Sequence, residues 1–270
     1  MTPLINTIFG ICIIFAGTTL GSLLSLILGN KSNSKIANHL SLGFAAGIMF
    51  SASFFSLILP SIEMDVSYMP SYLLSAIGIL LGALFLFGID KITPHLHVSQ
   101  DKEEGPHTKK ISKIGKMFTA VTIHNIPEGL SVGIAYGVAW ALQSSGNTEG
   151  AIAAFTTAMI LAIGIAIQNV PEGAVVALPV LTSTNNKGKA FAFGTLSGAI
   201  EPIAALIGLF LAYSIMEIMP WALSFASGCM IYVVIEEMIP DFQNDSTSHV
   251  GLWAFFAGFI LMMILDISLS

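Results

Sequence analysis

The chain has 270 residues, of which 54% are hydrophobic and only 10% charged, with a formal net charge of -6. Soluble domains carry about 25% charged residues, so a sizeable soluble domain is excluded and an integral membrane protein expected. No basic cluster suited to nucleic acid occurs, and all ten basic residues are Lys.

Apolar segments fall at 4–28, 39–62, 71–90, 117–142, 150–181, 190–216, 219–240 and 250–268. Each is long enough to cross a hydrocarbon core of ~30 Å as a helix of ~20 residues. The first has no basic residue before it and no small-residue cleavage site, so it reads as a retained span. In lipid the backbone must satisfy its own hydrogen bonds, and these runs lack the alternation of barrel strands. The predicted fold class is an all-α membrane protein of eight transmembrane helices in one domain, 1–270. The one long polar connector, 91–116, is expected to be flexible.

The lysines orient the chain. Lys31 and Lys35 follow the first span, Lys91, Lys102, Lys109, Lys110, Lys113 and Lys116 the third, and Lys187 and Lys189 the fifth. With eight spans these loops share one side, which the positive-inside rule makes cytoplasmic; both termini then face outward. The loop after the seventh span, with Asp241, Asp245 and His249, lies inside without a Lys. Cys12 and Cys229 stand in different apolar segments, so neither a disulfide framework nor a Cys zinc site is expected. Gly17 and Gly21, Gly43 and Gly47, Gly78 and Gly82, and Gly194 and Gly198 would let helices approach closely.

Two runs repeat each other inside apolar stretches: His124-Asn125-Ile126-Pro127-Glu128-Gly129 and Gln168-Asn169-Val170-Pro171-Glu172-Gly173. His124 and Glu128 are four apart and share a helix face, as do Gln168 and Glu172. Pro127 and Pro171 cannot bond the carbonyls of Ile123 and Ile167, which predicts kinks in the fourth and fifth helices. Glu201-Pro202 adds a carboxylate near the middle of the sixth span. Ionisable groups at membrane depth are costly and mark ion pathways. Imidazole, amide and carboxylate donors suit zinc and other divalent first-row metals. One divalent cation would offset most of the charge on Glu128, Glu172 and Glu201; without it the site would hold protons, which metal binding would release.

The pair HNIPEGLSVG and QNVPEGAVVALP resembles the signature of the ZIP (Zrt/Irt-like) metal transporter family, nearest its bacterial GufA-like branch. The likeness extends over the eight-span layout, Glu201-Pro202 and the Leu265-Asp266 ending. It implies a secondary transporter moving divalent metal, zinc first and Fe2+, Mn2+ or Cd2+ as well, toward the cytoplasm through a two-metal site. His124, Glu128, Gln168, Asn169 and Glu172 would hold one ion; Asn125, Glu128, Gln168, Asn169, Glu172 and Glu201 would frame the other. Relatives with Asp at the place of Asn169 have one more charge there. Relatives often carry Glu after the Leu-Pro that ends the second span; here Ser61 follows Leu59-Pro60, and Glu63 would serve instead.

Topology places Ser56 and Glu63 at the entrance and Asp90, Glu236 and Glu237 at the exit, with His95, His97 and His107 of the cytoplasmic loop able to collect metal. Asp266, near the end of the last helix, reads as structural. The resemblance also implies a homodimer in a bacterial-type inner membrane, with spans one, four, five and six moving against two, three, seven and eight. No organic cofactor and no enzyme activity are expected. There is no P-loop for ATP hydrolysis, and no H-E-x-x-H pair for an intramembrane metalloprotease. A metal-selective, channel-like pore is the closer alternative.

Overall fold

A computed structural model describes residues 2–28, 35–64, 66–92, 95–97, 102–104, 113–214, 218–243 and 249–269. Lys31, His107, Lys109, Lys110 and Asp245 lie outside the described residues. The protein is nearly all helical. Helix α1 spans Pro3–Leu28, and α2 (Lys35–Ala52) continues through a π-helical turn, Ser53–Ile58, into α3 (Leu59–Glu63). Helix α4 spans Ser71–Ile92, α5 Lys113–Ser144 and α6 Thr148–Thr184. A one-residue turn at Ala199 separates α7 (Lys187–Gly198) from α8 (Ile200–Ser214). Helix α9 (Met219–Val233) passes through a second π turn, Val234–Met238, into α10 (Ile239–Gln243), and α11 spans Val250–Leu269.

Taken as continuous stretches these make eight long helical rods at the expected places. Seven of them are long and apolar enough to cross a membrane. The eighth is α5, which carries His124, Asn125 and Glu128. Its polarity is tolerable because protein surrounds it: Ser131 to Ala139 are all buried. The outer rods show the opposite pattern. Leu80, Leu84 and Phe87 on α4, and Phe256, Ile260 and Ile264 on α11, are apolar and exposed, as lipid contact requires.

A short antiparallel ladder inside the polar connector carries no signal in the residue pattern. There β1 (His95–His97) pairs with β2 (Lys102–Glu104), with His95 opposite Glu104 and His97 opposite Lys102. His95 and His97 are therefore placed on a strand that packs toward α5.

The rods sort into two groups. Helix α1 lies along α6 and α7, and α5 along α8 and α6. In the second group α2 lies along α11 and α4 along α9, with α2–α6 and α5–α9 contacts joining the two. Glycines set the close crossings, as expected of the four pairs. A side chain at Gly17 or Gly21 would meet the backbone carbonyl of Ala166 or Val170 on α6. At Gly43 and Gly47 it would meet the carbonyls of Gly251 and Phe255 on α11. Such contact earns dispersion energy that larger residues would forfeit by holding the backbones apart.

Candidate functional site

The two repeated motifs lie side by side on α5 and α6, with Pro127 and Pro171 inside the helices. The last residue of each motif draws in a neighbour. A side chain on Gly129 would strike the carbonyl of Glu201, so its absence lets α8 bring Glu201 against α5. Gly173 stands in the same relation to Thr18 of α1. Four helices thus converge on one point, and Asn125, Glu128, Gln168, Asn169, Glu201 and Thr18 are all fully buried there.

The Glu201 carboxylate is held on both oxygens. Thr18 Oγ1 donates to its Oε1 at 2.8 Å, Asn125 Nδ2 donates to the same oxygen at 3.1 Å, and Asn169 Nδ2 donates to Oε2 at 2.8 Å. Asn125 Nδ2 also donates to the Ser197 carbonyl at 3.0 Å, and Asn169 Nδ2 to the Ile14 carbonyl at 3.1 Å. Beside this network lies a set of buried atoms with no hydrogen-bond partner: Asn125 Oδ1, Asn169 Oδ1, both Glu128 oxygens, Glu172 Oε2, and the oxygen and nitrogen of the Gln168 amide. Glu128 lies beside Gln168, Glu172 and Glu201. Buried polar atoms are rarely left unpaired, since each costs about 1–3 kcal/mol. A cluster rich in bare oxygens, carboxylates among them, is suited to a cation.

His124, one turn from Glu128, is paired through Nε2 with Glu237 Oε1. Glu172, Glu237 and Asp90 all lie close enough to act on the imidazole. Asp90 is buried on α4 and hydrogen-bonds Tyr232, which also feels Glu236 and Glu237. An acidic line therefore runs from Glu128 past Glu172 and His124 to Glu237, Glu236 and Asp90. Among the described residues no three His, Cys, Asp or Glu side chains converge closely enough to hold a metal ion by themselves. The physical reason is composition and pairing: amides supply much of the donor set, and His124 is taken up by Glu237.

Of the entrance pair, Ser56 is buried in the first π turn and donates to Asp266 Oδ1 at 2.6 Å, while Glu63 is exposed at the end of α3. Ser56 and Asp266 pair with each other, joining the first π turn to α11. Sequence reasoning missed Thr18 and Tyr232 as members of the site. Thr18 and Ser22 share the face of α1 that carries Gly17 and Gly21, which was a readable sign that this face meets a polar neighbour.

A membrane-embedded, nearly all-helical protein with carboxylates, amides and an imidazole gathered on two repeated motifs defines a class of ion-handling membrane proteins. The family model described as "ZIP Zinc transporter" matches residues 117–266. The chain is 32% identical to "Zinc transporter ZIP11" of Xenopus tropicalis over 100% of this chain and 98% of that protein. It is 34% identical to "Zinc transporter ZIPB" of Bordetella bronchiseptica, covering 95% of this chain and 79% of the relative. To "Zinc transporter GufA" of Myxococcus xanthus it is 32% identical over 95% and 97%. The chain belongs to the ZIP zinc transporter family.

Proposed function

We propose that this protein carries divalent metal ions, zinc first among them, across a membrane toward the cytoplasm. The observation that carries the reading is the set of buried, unpartnered oxygens of Asn125, Glu128, Gln168, Asn169 and Glu172 on the two repeated motifs. Zinc accepts carboxylate, amide and imidazole donors. His124, Glu128, Gln168, Asn169 and Glu172 hold one ion, with His124 swinging from Glu237 to reach it. Asn125, Glu128, Gln168, Asn169, Glu172 and Glu201 frame the second, with Glu128 and Glu172 shared between the two ions. Fe2+, Mn2+ and Cd2+ are further cargo, since intrinsic affinity alone does not separate such ions.

All eight rods cross the membrane in this reading, with both termini outward and α5 crossing inside the bundle. The named ion-holding residues belong to α5, α6 and α8, within one group of rods, whereas Ser56, Asp90, Glu236, Glu237 and Asp266 belong to the other. Sliding of the first group against the second would carry the ion past fixed contacts, exposing it to alternate sides. Ser56 and Glu63 serve the entrance; Glu237, Glu236, Asp90 and the strand bearing His95 and His97 serve the exit. The protein acts as a homodimer in a bacterial-type inner membrane, a reading the family likeness supports. The test is uptake into proteoliposomes with competing zinc, iron, manganese and cadmium. Saturable flux with zinc as the strongest competitor is expected; flux that stays linear in metal concentration would favour a channel-like pore.

A further inference from the structure

We infer that Thr18 is a positioning residue: its hydroxyl fixes the Glu201 carboxylate so that one lone pair, on Oε2, is left for the second ion. This deepens the metal-carrying role proposed above and rests on it. Glu201 keeps its place in the frame of that ion. Helix α1, which carries none of the proposed ligands, becomes part of the wall of the site.

A serine or threonine inside a helix commonly donates its hydroxyl to the carbonyl four residues back. Thr7, Thr119, Thr122 and Thr156 do so here, at 2.7–3.0 Å. Thr18 does not: its hydroxyl crosses from α1 to Glu201 Oε1 at 2.8 Å. The carbonyl four residues back is that of Ile14, and Asn169 Nδ2 donates to it at 3.1 Å. A carbonyl has two lone pairs, and the helix's own N–H takes the other. One turn of α1 thus gives an acceptor to the motif on α6 and a donor to the carboxylate on α8.

The hydroxyl has little freedom to turn elsewhere. Thr18 is fully buried, and a β-branched side chain has few χ1 choices. A side chain on Gly198 would strike both the Thr18 methyl and Glu201 Oε1, so this glycine lets threonine and carboxylate meet. Gly173 lets the Thr18 backbone lie against α6 in the same way. A carboxylate offers about four lone-pair sites, two on each oxygen. Thr18 and Asn125 fill those of Oε1, and Asn169 fills one of Oε2. The site that remains is on the oxygen Thr18 does not touch. Without the hydroxyl, Oε1 regains a lone pair and the carboxylate loses a contact that sets its plane.

A residue that acts through a ligand is tested by coupling. Thr18→Val keeps the shape and removes the donor, whereas Thr18→Ser keeps the donor. Zinc affinity of the purified full-length protein is measured for both, and for Thr18→Val combined with Glu201→Gln. Thr18→Val alone should lose roughly 10- to 100-fold, the usual cost of removing a partner that orients a metal ligand, and Thr18→Ser less than about 3-fold. In the Glu201→Gln background Thr18→Val should cost less than about 3-fold, because no carboxylate remains to be held. An equal loss from Thr18→Val in both backgrounds, an equal loss from Thr18→Ser and Thr18→Val, or no loss at all would each overturn the inference.

A second measurement needs no bound metal. The infrared carboxyl band absent from Glu201→Gln identifies that side chain in the zinc-free protein. It should shift in Thr18→Val and return to its place in Thr18→Ser. An unmoved band in Thr18→Val overturns the inference, even where zinc binds too weakly to titrate. Unaltered zinc affinity in Glu128→Gln would instead strike at the metal-carrying role, and the band alone would then decide.

Discussion

The imidazole of His124 on α5 and the carboxylate of Glu237 in the second π turn form an ion pair across the seam between the two groups of rods. It joins a candidate cargo ligand to a candidate exit residue, so neither can be altered without consequence for the other. Both side chains are nearly buried, at 12% and 13% exposure. A hydrogen bond to a charged group is worth about 1.5–3 kcal/mol.

Glu237→Gln removes that charge and frees His124 for the ion. Zinc affinity should rise by up to about ten-fold, the equivalent of ~1.4 kcal/mol, while uptake slows because the inner relay is broken. Calorimetry on the purified variant beside proteoliposome uptake checks the split. Weaker binding together with unchanged uptake would show that the pair does not hold His124 back.

Asn169→Asp exchanges a donor for an acceptor. The variant loses the bonds to the Ile14 carbonyl and to Glu201 and sets a second carboxylate against the first. The metal-free protein should be less stable by about 1–3 kcal/mol, the cost of leaving buried acceptors unpaired. Zinc should bind the second position more tightly, since a divalent ion now neutralises an added charge. Thermal melts with and without zinc test both statements: the zinc-induced rise in melting temperature should be larger than in the unaltered protein.

Helix crossings give a stability prediction independent of transport. A methyl at Gly21 meets the Val170 carbonyl directly, and Gly21→Ala should cost about 1–3 kcal/mol through forced separation of α1 and α6. Gly88 on α4 has nothing near the place of a side chain, and Gly88→Ala should gain about 0.5–1 kcal/mol through helix propensity. Melting in detergent should move in opposite directions for the two.

The helical layout was legible because long apolar runs and lysine-bearing loops are both local signals. The buried polar cluster was legible because its two halves repeat in sequence. Less local features escaped. The break at Ala199 does not disturb an apolar run, although Pro202 in the first turn of α8 is where a helix start tolerates proline. Each π turn adds a residue that a period of 3.6 does not register, yet each ends just before a Leu-Pro or Ile-Pro pair, Leu59-Pro60 and Ile239-Pro240. Ser56 and Asp266 meet from the second and last rods, and Thr18 and Glu201 from the first and sixth; no spacing rule joins residues so distant. Asp266 read as structural, and its bond to Ser56 gives it a defined partner.

In the proposed pathway the bare oxygens on α5 and α6 carry the metal. The direct measurement is radioactive zinc uptake into proteoliposomes by the unaltered protein, Glu128→Ala and Glu172→Ala, each confirmed folded by its elution as a single species. The unaltered protein should show saturable uptake and both variants a loss to the level of empty vesicles. Uptake at the unaltered rate by both folded variants would contradict the claim and place the pathway elsewhere.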